Sequence, residues 1–372
     1  MTDGDVTLYP LRFREVLRNY GFGNRWIPEV FEKSGLPDDH RIAETWEVVD
    51  RPPESSEILN GPLAGRTLHD AIERYGERLL GRDVVARCGT RFPLLIKFLD
   101  ASNVLGEQAH HTDEQAEALG LSDPGKTEAW YMLYTRPGAT IHCGNRFGVS
   151  REDLAEALVE GRSRDLMVEH EVAPGDAFLL YGGTMHYSKG GVLFYEIMEN
   201  SDVIIPLVPF REPLPDEEKR RLAEERAALV HLEDDFGCQT TPVTLVAGEN
   251  RRTFVFACRY FALERLDLGE VAALRPEGER FYVLSCIEGS CRVSGGGQEI
   301  VLRPGLTCVV PAEVTEVALG PEGHASLLKA YVPDLARDVV EPLRAAGVSD
   351  AAIVALGGRT RLNDLEPIVT GA

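Results

Sequence analysis

Short apolar runs, closed off by glycine and proline, set the rhythm of this chain over most of its length. Between Phe92 and Phe210 the runs FPLLIKFLDA, AWYMLYTR, DAFLLYGGTMH and GVLFYEIM are short and rich in aromatic and branched residues. With Gly- and Pro-containing breaks between them, they predict antiparallel strands in a sheet closed or folded on itself. Earlier, Glu44-Thr45-Trp46-Glu47-Val48-Val49 reads as a strand. Beyond Leu232 the pattern returns in RTFVFACRYFALERLDL, RFYVLSCIEGSCRVS, QEIVLRPGLTCVVPA and HASLLKAYVP.

Helical spacing is confined to a few places. Thr67 and Asp70 have capping-box spacing ahead of Leu68, Ile72, Leu79 and Leu80. A single helix, Ser150 to Gly161, is expected to interrupt the first strand block, opened by Ser150 and Asp153 and closed by glycine. The charged segment from Pro215 to Leu232, with one stripe of Leu222, Ala223, Leu229 and Val230, predicts a connector helix. The tail is expected to be helical over Asp334 to Arg344, interrupted at Pro342, and again over Ser349 to Leu356.

The two strand blocks echo each other. Val172-Ala173-Pro174-Gly175-Asp176-Ala177-Phe178-Leu179-Leu180 matches Leu302-Arg303-Pro304-Gly305-Leu306-Thr307-Cys308-Val309-Val310 in a strand, a Pro-Gly turn and a second strand. The first copy runs on to Gly183-Thr184-Met185-His186, the second to Pro311-Ala312-Glu313 without a histidine. The expected division is therefore 1–210 as a metal-binding unit with N-terminal strands and inserted helices, 211–232 as the connector, 233–332 as a metal-free second unit, and 333–372 as a helical tail.

A length of 372 residues suits two such domains. The net charge of -21 repels nucleic acid and anionic membranes, so neither is expected as a partner. Seven scattered cysteines without a CxxC pair predict reduced, buried thiols. With no apolar stretch of leader or membrane-spanning kind, the expected location is cytoplasmic. A GxSxG nucleophile elbow is missing, which argues against that hydrolase mechanism.

Candidate chemistry gathers in the first block. Gln108 and His110 are two apart, so on a strand both point to one face. Glu128 stands at a turn-to-strand junction, and His186 is read as ending the strand after the first Pro-Gly turn. Any one of these is weak evidence, and His111, His142 and His170 compete with them. Together they offer two imidazoles, a carboxylate and an amide, which suits one Zn2+ per chain with a position left open, while Fe2+ or Mn2+ would also fit.

The ordered set FPLLIKFLDA, Gln108-x-His110, GKTEAWY, Gly183-Thr184-Met185-His186 and EIMENSD, with ETWEVVD and NGPLAGRTL before it, resembles the type I phosphomannose isomerases, from about Leu11 to Pro333. The resemblance implies a mainly β fold of two cupin-type jelly-roll barrels with accessory helices. It also implies zinc on Gln108, His110, Glu128 and His186, and catalytic roles for Lys126 and Asp202. The implied reaction is aldose-ketose isomerisation of mannose 6-phosphate to fructose 6-phosphate through an enediol, by a monomer or homodimer.

Two positions depart from the pattern. Pro206 stands where an arginine is usual, with Lys189 and Arg211 as nearby substitutes, and the turn after the ligand pair is His110-His111-Thr112-Asp113. A different sugar or sugar phosphate as substrate, a non-catalytic sugar-binding protein, and an iron-dependent oxygenase at the same ligands therefore stay open. Bound metal and turnover separate them.

Overall fold

The computed structural model describes residues 6–31, 33, 41–208, 214–234 and 236–371. The first half is built from two antiparallel sheets. One runs Ala177–Leu180, Glu128–Thr135, Val192–Glu199, Leu94–Ala101, Glu44–Val48, Val16–Arg18, and the other Met167–Glu171, Thr140–Asn145, His186–Ser188, Leu105–Ala109, Ile205–Pro206. They pack face to face around Leu99, Trp130, Met132, Ile141, Cys143, Phe178 and Phe194.

The run LLIKFLDA is buried on both faces, which explains why it is apolar throughout and not alternating. Its inward residues are Leu95, Lys97, Leu99 and Ala101. Outward, Leu94, Ile96 and Phe98 meet Val283, Val309, Leu328 and Ala330 of the second half in one core. A single inward lysine in such a strand needs partners, and its surroundings supply them, as described below.

The second half is a nine-stranded antiparallel sheet. It folds around Leu266, Leu284, Val293, Leu302, Cys308, Val310 and Leu327, while alternate residues of the same strands serve the shared core. Its edge is not local: Leu11–Arg12, from the start of the chain, pairs with Thr307–Val310, Leu11 opposite Val309. The internal echo is structural, since Gly175 and Gly305 both take left-handed φ, 96° and 84°, at turns leading into Ala177–Leu180 and Thr307–Val310. The chain is thus mainly β, as expected. All seven cysteines are free thiols, six of them buried.

The helices follow their signals. Thr67 and Asp70 close both bonds of a capping box at Leu68–Tyr75, though Gly76 ends this helix and Leu79 and Leu80 belong to a separate turn, Glu77–Leu80. Arg151–Glu160 is capped by Ser150 and Asp153 and stops at left-handed Gly161. Asp216–Leu229 packs Ala223 and Ala227 beside Leu154 and Leu158 over the outer face of the second sheet.

Two expectations need correction. The first block holds a second helix, Asp113–Ala118, whose box is Thr112 and Gln115. In the tail, Pro342 does not break the helix: the π-helical turn Ala336–Val340 runs straight on into Glu341–Ala345, and the proline stands just past the change of pitch. Among the described residues no helix is long and apolar enough to cross a membrane.

Candidate metal centre

Register brings the first-half residues together. His186 lies directly across from Gln108 on one neighbour and from Cys143 on the other, so all three face the interior between the sheets. His186 opens the strand His186–Ser188, after a loop, and does not end the preceding one as the sequence suggested. His110 follows its strand by one residue and keeps the inward phase of Gln108. Glu128 begins the strand of the facing sheet.

Three side chains converge. Glu128 Oε2 is 3.2 Å from His110 Nε2, and Glu128 Oε1 is 3.2 Å from His186 Nε2. The donor atoms of this group all lie within 4.8 Å of one another. Both histidines are aimed from behind: Nδ1 of His110 bonds the Val203 carbonyl at 2.9 Å, and Nδ1 of His186 bonds the Thr184 carbonyl at 2.9 Å. Carbonyls only accept, so each Nδ1 is the protonated nitrogen and each Nε2 presents a lone pair to the centre.

Those lone pairs have no protein partner. His110 Nε2, His186 Nε2 and both Glu128 oxygens are buried without a hydrogen bond, where buried polar atoms are almost always paired. Burial, followed by the Lys126 charge, lowers His110 to about 3, and burial lowers His186 as well. Burial alone would raise Glu128, but Lys126 and the two histidines hold it well below the usual carboxylate range. At neutral pH the site is therefore two neutral imidazoles and one carboxylate, a donor set that fits a divalent cation.

Lys126 is buried with Nζ 3.4 Å from Glu128 Oε2, and its backbone N–H donates to the His111 carbonyl at 2.9 Å. Asp202 is exposed, one residue before the carbonyl that orients His110. Its N–H donates to Asp123 Oδ2 at 2.9 Å, and Arg51 holds that carboxylate at 2.8 Å. His111 stays outside the triad, His142 stacks on Tyr187 on the outward face, and His170 packs on Phe178. Of the substitutes for the missing arginine, Lys189 is paired with Glu169 and so turned outward, and Arg211 lies outside the described residues. Pro206 itself is opposite Gln108, on the inward side.

The sequence reading missed a charged row beside the centre. Lys97 Nζ sits 2.8 Å from Glu196 and 3.4 Å from Glu44. Trp130 Nε1 donates to Glu196 at 3.0 Å and Trp46 Nε1 to Glu44 at 2.6 Å. Although burial opposes it, the pull of Glu196 and Glu44 raises the Lys97 pKa above its ordinary value. The only signal in the sequence was a lysine inside an otherwise apolar strand.

Comparison with known proteins agrees with this architecture. Residues 11–129 match the family model of the phosphomannose isomerase type I catalytic domain, and residues 250–332 that of the mannose-6-phosphate isomerase cupin domain. The chain is 28% identical over 335 residues to mannose-6-phosphate isomerase ManA of Bacillus subtilis, covering 88% of this chain and all of that one. It is 27% identical over 311 residues to the probable mannose-6-phosphate isomerase GmuF of the same organism, covering 84% and 96%. Its fold superposes on the crystal structure of the Bacillus subtilis mannose 6-phosphate isomerase with a TM-score of 0.73 at 23% identity, over 87% of this chain and 99% of that one. With the two family models together spanning more than half of its length, and the curated relatives matched almost end to end, the chain belongs to the type I phosphomannose isomerase family.

Proposed function

We propose that this chain is a metal-dependent aldose-ketose isomerase interconverting mannose 6-phosphate and fructose 6-phosphate, with one Zn2+ held by Gln108, His110, Glu128 and His186. The observation that carries the reading is the set of four buried donor atoms without a hydrogen bond on His110, Glu128 and His186. Gln108 joins the set because it faces the same interior directly opposite His186.

Isomerisation moves one proton between C2 and C1 and another between the two oxygens, with no net change of atoms or electrons. The cation, when bound, polarises the sugar oxygens and stabilises the charge that builds on them. The chain supplies the rest. Lys126, next to Glu128, holds or passes the proton at the reacting carbons. Asp202 stands at the mouth on the segment that fixes His110, where it orients the sugar hydroxyls. Trp130, edge-on to His186 with ring centroids 5.5 Å apart, walls the centre on its apolar side and keeps water from it.

The test is metal analysis together with turnover of mannose 6-phosphate, with and without chelator, on one preparation. Stoichiometric zinc with chelator-sensitive turnover is expected; a folded protein without metal ends this reading. Pro206, uncharged and inward, favours a second reading in which another aldose phosphate is preferred. Relative kcat/KM across aldose phosphates decides between the two.

A further inference from the structure

The isomerase reading needs a cation for the phosphate dianion as well as a metal for the sugar end. Near the centre the charges are already committed. Lys97 is enclosed by Glu196 and Glu44, and Lys126 lies against Glu128. The inward position opposite Gln108 is Pro206.

Among the described residues, Arg18 is an inward cation at the rim, paired with Glu54. Cross-strand register on the inner face runs from Trp130 to Glu196, to Lys97, to Trp46, and next to Trp46 stands the pair Glu44 and Arg18. The row starts on the strand that carries Glu128 and ends on the edge strand Val16–Arg18. Arg18 holds its guanidinium over Trp46, 4.0 Å from the ring centroid, with 20% of its side chain exposed. Its carboxylate partner, Glu54, is 41% exposed and so screened by solvent. Trp46 lies three strands across and two residues along from Glu128, roughly 16 Å at ordinary strand geometry, a distance on the scale of an extended hexose phosphate and the groups that grip its ends.

Resting on the isomerase reading, we propose that Arg18 is the phosphate-binding residue, a guanidinium braced on Trp46 at the rim of the first unit while the sugar end of the substrate lies at Glu128, His110 and His186. A planar fork of N–H donors matches a phosphate face, and stacking on Trp46 spares it the cost of ordering a long side chain on binding. The residue therefore sets preference for phosphorylated over free sugar and has no part in the proton transfer.

The experiment is steady-state kinetics of the metal-loaded enzyme and of Arg18→Met and Arg18→Lys, with mannose 6-phosphate and mannose as substrates and inorganic phosphate as inhibitor. Met keeps an apolar stem against Trp46, and thermal unfolding and metal content confirm that each variant is folded and loaded. In Arg18→Met, KM for mannose 6-phosphate and the inhibition constant for inorganic phosphate should both rise about 10- to 100-fold, the effect of losing a charge-assisted hydrogen-bond pair, with kcat nearly unchanged. Turnover of mannose should not change, and Arg18→Lys should recover part of the loss. An unchanged KM and inhibition constant, or an equal loss on both sugars, overturns the role of Arg18 while leaving an active wild-type enzyme. A metal-loaded wild type without turnover of mannose 6-phosphate overturns the isomerase reading itself.

Discussion

Glu128 carries more of the centre than any other side chain, because both of its oxygens face an imidazole nitrogen and a lysine approaches one of them. Glu128→Gln keeps the shape and removes the charge, leaving two neutral imidazoles beside the Lys126 ammonium. Metal affinity should fall by more than the ~10- to 100-fold typical of losing an outer-shell partner, read by chelator competition, while thermal stability of the metal-free protein changes less. Retained affinity would show that the carboxylate is structural. His110, Glu128 and His186 were legible in the sequence only as a combination, through the Gln108-x-His110 spacing and the histidine after the first Pro-Gly turn, since each alone was weak. The carbonyls of Val203 and Thr184, which set the lone pairs, were not legible, since a backbone oxygen has no letter of its own.

At the scale of elements, the inner row of the first sheet shows what sequence alone conceals. Trp46, Lys97, Glu196 and Trp130 come from four strands, and only the register makes them neighbours. Lys97→Met should destabilise the fold by about 3–5 kcal/mol, because it strands two buried carboxylates. Adding Glu44→Gln and Glu196→Gln to the same chain should return much of that loss, measured by urea unfolding; no recovery would mean the lysine stem, and not its charge, matters. Helix Asp113–Ala118 was missed for a different reason. Its capping box, Thr112 with Gln115, is spelled out in the chain, but the helix is too short to show periodicity. Lys189 illustrates the opposite error: close in sequence to His186, it points away because a strand alternates its faces.

Over the whole molecule the two buried histidines couple the centre to stability. In the unfolded chain each takes up a proton near pH 6.5, whereas in the fold His110 resists protonation to about 3 and His186 is likewise lowered. The unfolded state therefore binds more protons below pH 6.5. Stability of the metal-stripped protein is full above that pH and declines as pH falls through the window, by up to ~1.4 kcal/mol per pH unit for each histidine. Urea midpoints on either side of pH 6.5 should show this slope, and His110→Asn should flatten it; a slope unchanged by that substitution would assign it to other groups. The kinship of the two halves was visible in the Pro-Gly echo, whose two turns share a left-handed glycine. What the echo did not reveal is that Leu11–Arg12, ahead of the first half, belongs to the second half's sheet.

That crossing at Leu11–Arg12 bears on how the protein is made. Leu11–Arg12 is synthesised before the whole first half, and the strand it pairs with, Thr307–Val310, only after it. The first half can pair its own strands early, but Leu94, Ile96 and Phe98 stay uncovered until Val309 and Leu328 arrive. Closing a loop of this length is entropically modest and kinetically slow, so the nascent chain must wait with an apolar face open. The pairing of Leu11–Arg12 with Thr307–Val310 waits until both halves have been made.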